Sequence, residues 1–404
     1  MGYNQQSGSL KNSAYKPVIL AFVGNYLPGY KAGGILRITI NTVDHLCDEF
    51  DFKIVTRDRD LGDDKPYPDI KINQWQQVGN AQVYYLPPSS ETVKGIFDLI
   101  VHTPHDILYL NSFFDPLTIK ALWMRKLHRA AFQPTIVVPW GEFGWASLKQ
   151  KYPKKFVFMQ LARLVGLYND VTWRASSKYE KSDIMKVMKT KSDAISIIED
   201  LPIKNIPKFP DSIDNQFADS QDLKIIFLSR ISREKNLDFA LRVLRQVKVR
   251  VLFDIYGPAE NMDYWKECQE LIGLLPANVQ VNYRGSVEAN QVVNVFSRYD
   301  LFLFPTGGEA YGHVIAECLI AGTPVLLSTE TPWRNLQLDG LGWDIDLGEI
   351  YSFVAVIEKL ALMSEDEKLK KRAIVKDKIM ERLLHPDVLE KNRRLFKDAL
   401  PRCE

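Results

Sequence analysis

Glu309 and Glu317 are the residues whose type and spacing offer the clearest chemistry in this sequence. Glu309 follows Gly307 and Gly308, and Glu317 stands four residues beyond His313 in the run Glu309-Ala310-Tyr311-Gly312-His313-Val314-Ile315-Ala316-Glu317. Ahead of them, Asp300-Leu301-Phe302-Leu303-Phe304 reads as a buried strand ending at Pro305, and Thr306, Gly307 and Gly308 let the backbone turn sharply. A helix is expected to begin near Ala310 or Tyr311. Its first turn offers free N–H groups and the positive end of the helix dipole, which together favour a diphosphate. Val314, Ile315, Cys318 and Leu319 form the stripe directed at a sheet, while His313 and Glu317 share another face. Because helical side chains lean toward the N-terminus, Glu317 points back at whatever the loop holds. A carboxylate there suits the paired hydroxyls of a ribose, and Glu309, on the loop, suits sugar hydroxyls.

With the strand start Ala321-Gly322-Thr323-Pro324-Val325-Leu326 behind it, this segment resembles the Glu-x7-Glu motif of retaining glycosyltransferases with the GT-B fold, specifically glycosyltransferase family 4. The resemblance implies that Glu309 contacts the donor sugar, that the backbone of Ala310, Tyr311 and Gly312 contacts sugar and phosphate, and that Glu317 binds the nucleotide ribose. Ser229-Arg230-Ile231-Ser232-Arg233-Glu234-Lys235-Asn236 is similar to the family's Gly-Arg-Leu-x-x-x-Lys-Gly segment. Ser229 and Asn236 stand where the family has glycine, but the Arg and the Lys keep their spacing. Arg230 at a strand end and Lys235 just before a helix are cations suited to a diphosphate leaving group.

Other matches are looser. Gly33 and Gly34 follow the first strand where family members commonly carry a Gly-Gly pair that lets the backbone approach the donor, and Arg37 in the next turn is a weaker candidate for the same cleft. Ser286, in Arg284-Gly285-Ser286-Val287, falls where the family approaches the nucleotide base. Asn111 and Ser112 occupy a strand end where the family often has a His, which puts a His-assisted role in doubt. Pro139-Trp140-Gly141-Glu142 is similar to an acceptor-side loop of the bacterial polysaccharide branch, with Trp140 in place of an Arg; Glu142 either orients an acceptor hydroxyl or caps a turn. Thr331-Pro332-Trp333-Arg334 resembles the same branch, with Arg334 on phosphate or sugar or in a structural ion pair. Asp58-Arg59-Asp60 and Asp344-Ile345-Asp346 are formally Asp-x-Asp, but such triplets arise by chance, and no metal and no cofactor are expected beyond the nucleotide sugar itself.

Composition narrows the classes. A chain of 404 residues has room for two domains, and 46% hydrophobic with 25% charged residues is the balance of a globular protein with ample core. A net charge of +2 argues against nucleic-acid binding by bulk electrostatics. Cys47, Cys268, Cys318 and Cys403 form no CxxC pair, which points away from zinc and from a disulfide framework and fits a reducing cytoplasm. Residues 1–16, rich in Gly, Ser, Asn and Gln, read as a flexible lead without the apolar core of a signal peptide, and no apolar run approaches membrane-spanning length. From Leu148 to Arg163, however, Lys149, Lys151, Lys154, Lys155 and Arg163 interleave with Tyr152, Phe156 and Phe158 and with no acid. That pattern fits either a solvated helix or one resting on the anionic cytoplasmic face of the inner membrane.

Strand-like runs alternate with helix-length segments, which specifies α/β architecture with parallel sheets. Candidate strands are 18–23, 52–56, 82–86, 107–110, 135–138, 171–174 and 194–198, then 224–228, 251–256, 279–283, 301–304 and 324–327. Pro202, Pro207 and Pro210 mark a linker over 201–222. The expected fold is therefore two Rossmann-like doubly wound domains facing a central cleft, 17–200 on the acceptor side and 223–375 on the donor side. The resemblance adds that the last helix, within 376–404, crosses back to the first domain. It also implies a retaining transfer from a nucleotide-diphosphate sugar to a hydroxyl of a saccharide, lipid-linked in bacterial O-antigen or capsule assembly. Two other readings stay open on the same residues, a nucleotide-sugar epimerase of the same fold and a silent sugar-nucleotide binding subunit. A dinucleotide oxidoreductase is disfavoured, because no GxGxxG follows a strand in either half.

Overall fold

Near-continuous apolar strands require cover on both faces, and the computed structural model provides it twice. It describes residues 15–31, 33–128, 133–149, 152–204, 222–288, 291–309, 311–383 and 385–401. The first domain contains β1 (Val18–Phe22), β2 (Asp51–Arg57), β3 (Trp75–Val78), β4 (Ala81–Leu86), β5 (Ile107–Asn111), β6 (Thr135–Val138), β7 (Thr172–Ala175) and β8 (Ile195–Ile197). Its helices are α1 (Gly34–Leu46), α2 (Val93–His102), α3 (Pro116–Leu127), α4 (Trp145–Lys149), α5 (Tyr152–Leu164) and α6 (Lys178–Met188). The strands form an eight-stranded sheet in the order β3-β4-β2-β1-β5-β6-β7-β8, parallel except where β3 runs against β4. In β1, Leu20 and Phe22 enter the core on one face while Ile19 and Ala21 enter the core on the other, as alternation along a strand dictates.

The second domain contains β9 (Leu223–Leu228), β10 (Val251–Tyr256), β11 (Val279–Gly285), β12 (Leu301–Phe304), β13 (Val325–Ser328) and β14 (Gly342–Ile345). Around them lie α7 (Leu237–Leu244), α8 (Met262–Ile272), α9 (Val292–Phe296), α10 (His313–Ile320), α11 (Ile350–Ala361) and α12 (Glu365–Leu383), and α13 (Pro386–Lys397) follows. The six-stranded sheet is parallel throughout, in the order β11-β10-β9-β12-β13-β14. Strand order reverses beside β1 in one sheet and beside β9 in the other, so the loops leaving β1, β9 and β12 lie at the crevices where open α/β sheets take ligands.

Two strands are absent from the expected set. β3, with Gln76 and Gln77 in an exposed edge position, lacks an apolar run, and β14 is too short and too polar to stand out. The expected end of the second domain at residue 375 falls inside α12, whose buried Val375, Ile379 and Leu383 all join the second core. Packing, not the charged composition of this segment, decides where the domain ends. Most of the linker, residues 205–221, and the lead up to residue 14 lie outside the described residues.

α13 then packs on the first domain. Phe396 lies 5.6 Å from the Phe50 ring, 6.1 Å from Phe52 and 5.3 Å from Tyr109, and Arg393 and Lys397 reach Glu49 at 2.5 and 2.8 Å. Removing a ring this deeply buried leaves a cavity, so Phe396→Ala is expected to lower unfolding stability by ~3–5 kcal/mol. Lys397→Ala, at a half-exposed pair, should cost less than about 1 kcal/mol. Urea unfolding of the two variants checks the contrast, and equal losses would refute this account of how α13 is held.

Candidate functional site

Beyond β12 the chain makes the loop on which Glu309 sits, and that loop is tied to the one after β9. Gly307 N donates to the Glu234 carbonyl at 2.7 Å, Thr306 Oγ1 reaches the same carbonyl at 3.1 Å, and Gly308 N donates to Thr306 Oγ1 at 3.2 Å. A Cβ at Gly307 would stand 3.3 Å from that carbonyl oxygen, which accounts for a small residue there. Across this seam Lys235 Nζ bonds Glu309 Oε1 at 2.7 Å, with the two side chains 9% and 17% exposed. Asn236 adopts φ 61° and ψ 40°, the left-handed conformation for which glycine is the usual choice, and its amide donates to the Pro305 carbonyl at 2.9 Å. Asparagine thus fills the glycine position that the sequence lacks.

α10 begins at His313, later than expected. Gly312, at φ 81°, is the N-cap, and Tyr311 is kept out of the helix because its carbonyl accepts Trp333 Nε1 at 2.5 Å while its ring lies 5.6 Å from the Trp333 ring. Ala310 lies outside the described residues. The first N–H groups of α10 have no intrahelical acceptor and face the cleft together with the start of α1. A Cβ on Gly34 would be 3.6 Å from His313 Cδ2, so the two helix N-termini stand tip to tip. Gly33 has φ 66° with ψ −129°, and a Cβ placed on it would meet nothing within 4 Å, so backbone conformation and not crowding requires glycine there.

The face of α10 that carries His313 and Glu317 meets the first domain. Glu317 forms an ion pair with Arg37 of α1, and His313 Nε2 lies 3.3 Å from Asp200 Oδ2. Asp200 is fully buried and bonds Arg174 at 2.7 Å, Arg174 bonds the Tyr109 hydroxyl at 3.2 Å, and its guanidinium lies 4.9 Å from the centre of the Trp140 ring. Burial lowers the Arg37 guanidinium to about 10, and burial raises the Tyr311 hydroxyl well above its usual range. Sequence reasoning gave Arg37 only a minor place and missed Asp200 and Arg174, which carry no motif.

Several expected site residues stand elsewhere. Arg230 is turned to Glu260, at 2.8 and 2.9 Å, in a half-exposed pair that leaves it off the Lys235–Glu309 seam. Ser286 is exposed beyond β11, after Gly285 at φ 74°. Asn111 is buried, its amide donating to the Phe22 carbonyl at 3.1 Å and accepting Trp140 Nε1 at 3.2 Å, so it offers no free amide to an acceptor. Ser112 Oγ donates to Glu142 at 2.6 Å, and Glu142 also accepts Phe113 N at 2.5 Å and Phe114 N at 3.4 Å. Of the two roles open to Glu142, turn capping is the one these bonds describe. Arg334 donates to the Thr329 carbonyl. Asp60 accepts Tyr30 N and Lys31 N from the loop before α1, Asp58 pairs with Arg59, Asp344 accepts Leu336 N and Asp346 accepts Gly348 N, so each Asp-x-Asp carboxylate is engaged by a protein partner. Among the described residues no group of three or more His, Cys, Asp or Glu gathers as a metal site.

Doubly wound domains opposed in this way, with ligand loops at both switch points, constitute the GT-B fold. Residues 209–377 match the family of glycosyl transferases group 1. HepE of Anabaena, solved in complex with UDP-glucose, superposes with a TM-score of 0.68 at 15% identity over 95% of this chain and 100% of that one. WaaG, a glycosyltransferase involved in lipopolysaccharide biosynthesis, gives 0.65 at 14% identity over 94% and 98%. A 41.2 kDa protein in the cps region of Klebsiella pneumoniae is 22% identical over 281 residues, covering 68% of this chain and 74% of that protein.

Burial pushes the Glu142 carboxyl up to about 7, against the pull of Ser112, the Phe113 and Phe114 amides and Lys155. The native state therefore keeps a proton that the unfolded chain has lost, and stability falls as pH rises from about 4.5 through about 7, by ~1–3 kcal/mol. Glu142→Gln cannot ionise and should flatten that part of the curve. Urea unfolding at steps across about pH 4.5 to 7.5 checks it, and an unchanged slope would refute the protonated carboxyl.

Proposed function

We propose that this protein is a retaining glycosyltransferase that moves a sugar from a nucleoside-diphosphate sugar to a hydroxyl of a saccharide acceptor. The observation that carries the reading is the largely buried Lys235–Glu309 pair at the β9 and β12 switch-point loops, beside the first N–H groups of α10. The group 1 match over residues 209–377 and the UDP-glucose complex of HepE support it and make UDP-sugars the first donors to try. The cps-region relative and WaaG support an acceptor in bacterial surface polysaccharide assembly.

In this reading the cleft opens at the facing N-termini of α1 and α10 to admit the diphosphate, with Lys235 supplying charge and Arg230 swinging in from Glu260. Glu309 holds hydroxyls of the donor sugar, and Glu317 holds the ribose. The bond from the anomeric carbon to the diphosphate oxygen breaks as the acceptor oxygen adds on the same face, and the departing phosphate oxygen takes the acceptor proton. The protein's contribution is orientation and charge stabilisation, with no strong base. No metal is needed for this scheme.

A thermal-shift series with UDP, GDP and ADP, with and without magnesium, tests the donor site, and one nucleotide should raise Tm selectively without metal. Glu309→Ala should lower transfer, followed by chromatography of donor and product, by about 100-fold or more while the melting profile stays cooperative. Near-normal turnover would refute the role of Glu309, and conversion of the donor sugar without acceptor would move the assignment to an epimerase.

A lipid-linked acceptor would require contact with a membrane surface. Among the described residues no helix is long and apolar enough to cross one, but α5 exposes Phe156, Val157, Leu161 and Leu164 along one side with Lys154 beside them. Lys151 lies outside the described residues. An exposed apolar stripe flanked by cations suits an anionic bilayer. The protein should cosediment with vesicles containing phosphatidylglycerol and much less with phosphatidylcholine alone. Phe156→Glu with Leu161→Glu should abolish that difference, and full retention by the double variant would remove α5 from the contact.

A further inference from the structure

Glu317, the carboxylate assigned to the ribose, is already engaged by the first domain. Its side chain is 13% exposed and its partner Arg37 is 22% exposed, so the pair lies mostly out of water in the cleft that the nucleotide must enter. Ribose hydroxyls are neutral donors that would take the same carboxylate oxygens, and a guanidinium seated there stands in their way. Arg37 is carried on α1, whose first residue Gly34 faces His313 at the start of α10. These two facing helix ends are the anion-favouring point of the cleft once it opens.

We infer that Arg37 is the first domain's diphosphate-binding residue, parked on Glu317 while the cleft is empty and exchanged onto the diphosphate when a nucleotide enters. This rests on the donor reading above. The exchange leaves no buried charge alone: Glu317 trades a guanidinium for two hydroxyl donors, and Arg37 trades a carboxylate for phosphate oxygens. Without a nucleotide, either charge left unpaired would bear a desolvation penalty with nothing to offset it. A guanidinium suits this task better than an ammonium, because its planar fork matches carboxylate and phosphate oxygens alike. The second domain supplies Lys235 on its side of the cleft, and Arg37 is the counterpart from the other side, so donor binding and domain closure draw on the same residue.

The alternative is that Arg37 merely ties the domains together. The two are separated by comparing a nucleoside with its diphosphate on the full chain. UDP binding is read by isothermal titration and uridine binding by ligand-detected NMR, for the wild type, Arg37→Met and Arg37→Lys, with guanosine and GDP and with adenosine and ADP as parallel pairs. The exchange predicts that Arg37→Met weakens the diphosphate by about tenfold or more, while the nucleoside binds as well as before or better because Glu317 is vacated. Arg37→Lys, which keeps the charge, should recover part of the loss and guards against a folding defect in the methionine variant. If nucleoside and diphosphate weaken by the same factor, or neither changes, the exchange is overturned while the donor reading stands. If the wild type binds none of the three diphosphates, the donor reading falls and takes the exchange with it.

Discussion

The structure depends on a charge buried where the chain leaves its first domain. Asp200 has no exposed side-chain surface and Arg174 almost none, so each must be met by the other, and the bond between them is 2.7 Å long. Desolvation makes such a pair costly to disturb from one side only. Its geometry is fixed further by the Tyr109 hydroxyl and by the Trp140 ring over the guanidinium. Because the second oxygen of Asp200 faces His313, the first residue of α10, this cluster reaches from the first domain to the start of a second-domain helix. Among the described residues, Asp200 Oδ2 and His313 Nε2 are both buried and have no hydrogen-bond partner beyond that approach.

Around that fixed point the candidate site is assembled from loops tied down by hydrogen bonds. The Glu309 loop is held by the Glu234 carbonyl, by Thr306 and by Glu330, whose carbonyl accepts Glu309 N at 3.2 Å. The first-domain loop before α1 is held by Asp60, which accepts both Tyr30 N and Lys31 N. In each case a polar group that could have faced a ligand instead fixes backbone. Among the described residues, the Lys235–Glu309 pair on one side of the cleft and the Arg37–Glu317 pair across it are charges that these backbone contacts leave in place.

The sequence made the two sheets legible because parallel strands covered on both faces are written as unbroken apolar runs, as in Leu301-Phe302-Leu303-Phe304. β3 was hidden because an edge strand tolerates Gln76 and Gln77. Glu309, Glu317 and Lys235 could be proposed from the sequence because they fall in a local run that resembles a family motif, beside glycines and strand ends. The late start of α10 was not, since it is imposed by Trp333, which approaches Tyr311 from another loop. Asp200 and His313 are far apart in the chain, and neither residue type nor spacing signals that they meet. The same holds for Arg37 and Glu317, whose partnership exists only once both domains are in place. Asn236 shows a third case, in which a residue that departs from a glycine pattern still adopts the left-handed conformation that glycine usually takes.

α13 gives the molecule a mechanical property that neither domain has alone. Because Phe396 and its neighbours return to the first domain, the second domain is joined to it by two chain crossings, one after Asp200 and one between Leu383 and Pro386. A body attached by two crossings has less freedom to twist and swing than one attached by a single crossing. Parting the two domains therefore means either bending the chain between α12 and α13 or undoing the packing of Phe396, so separation draws on the first domain's core as well as on the cleft.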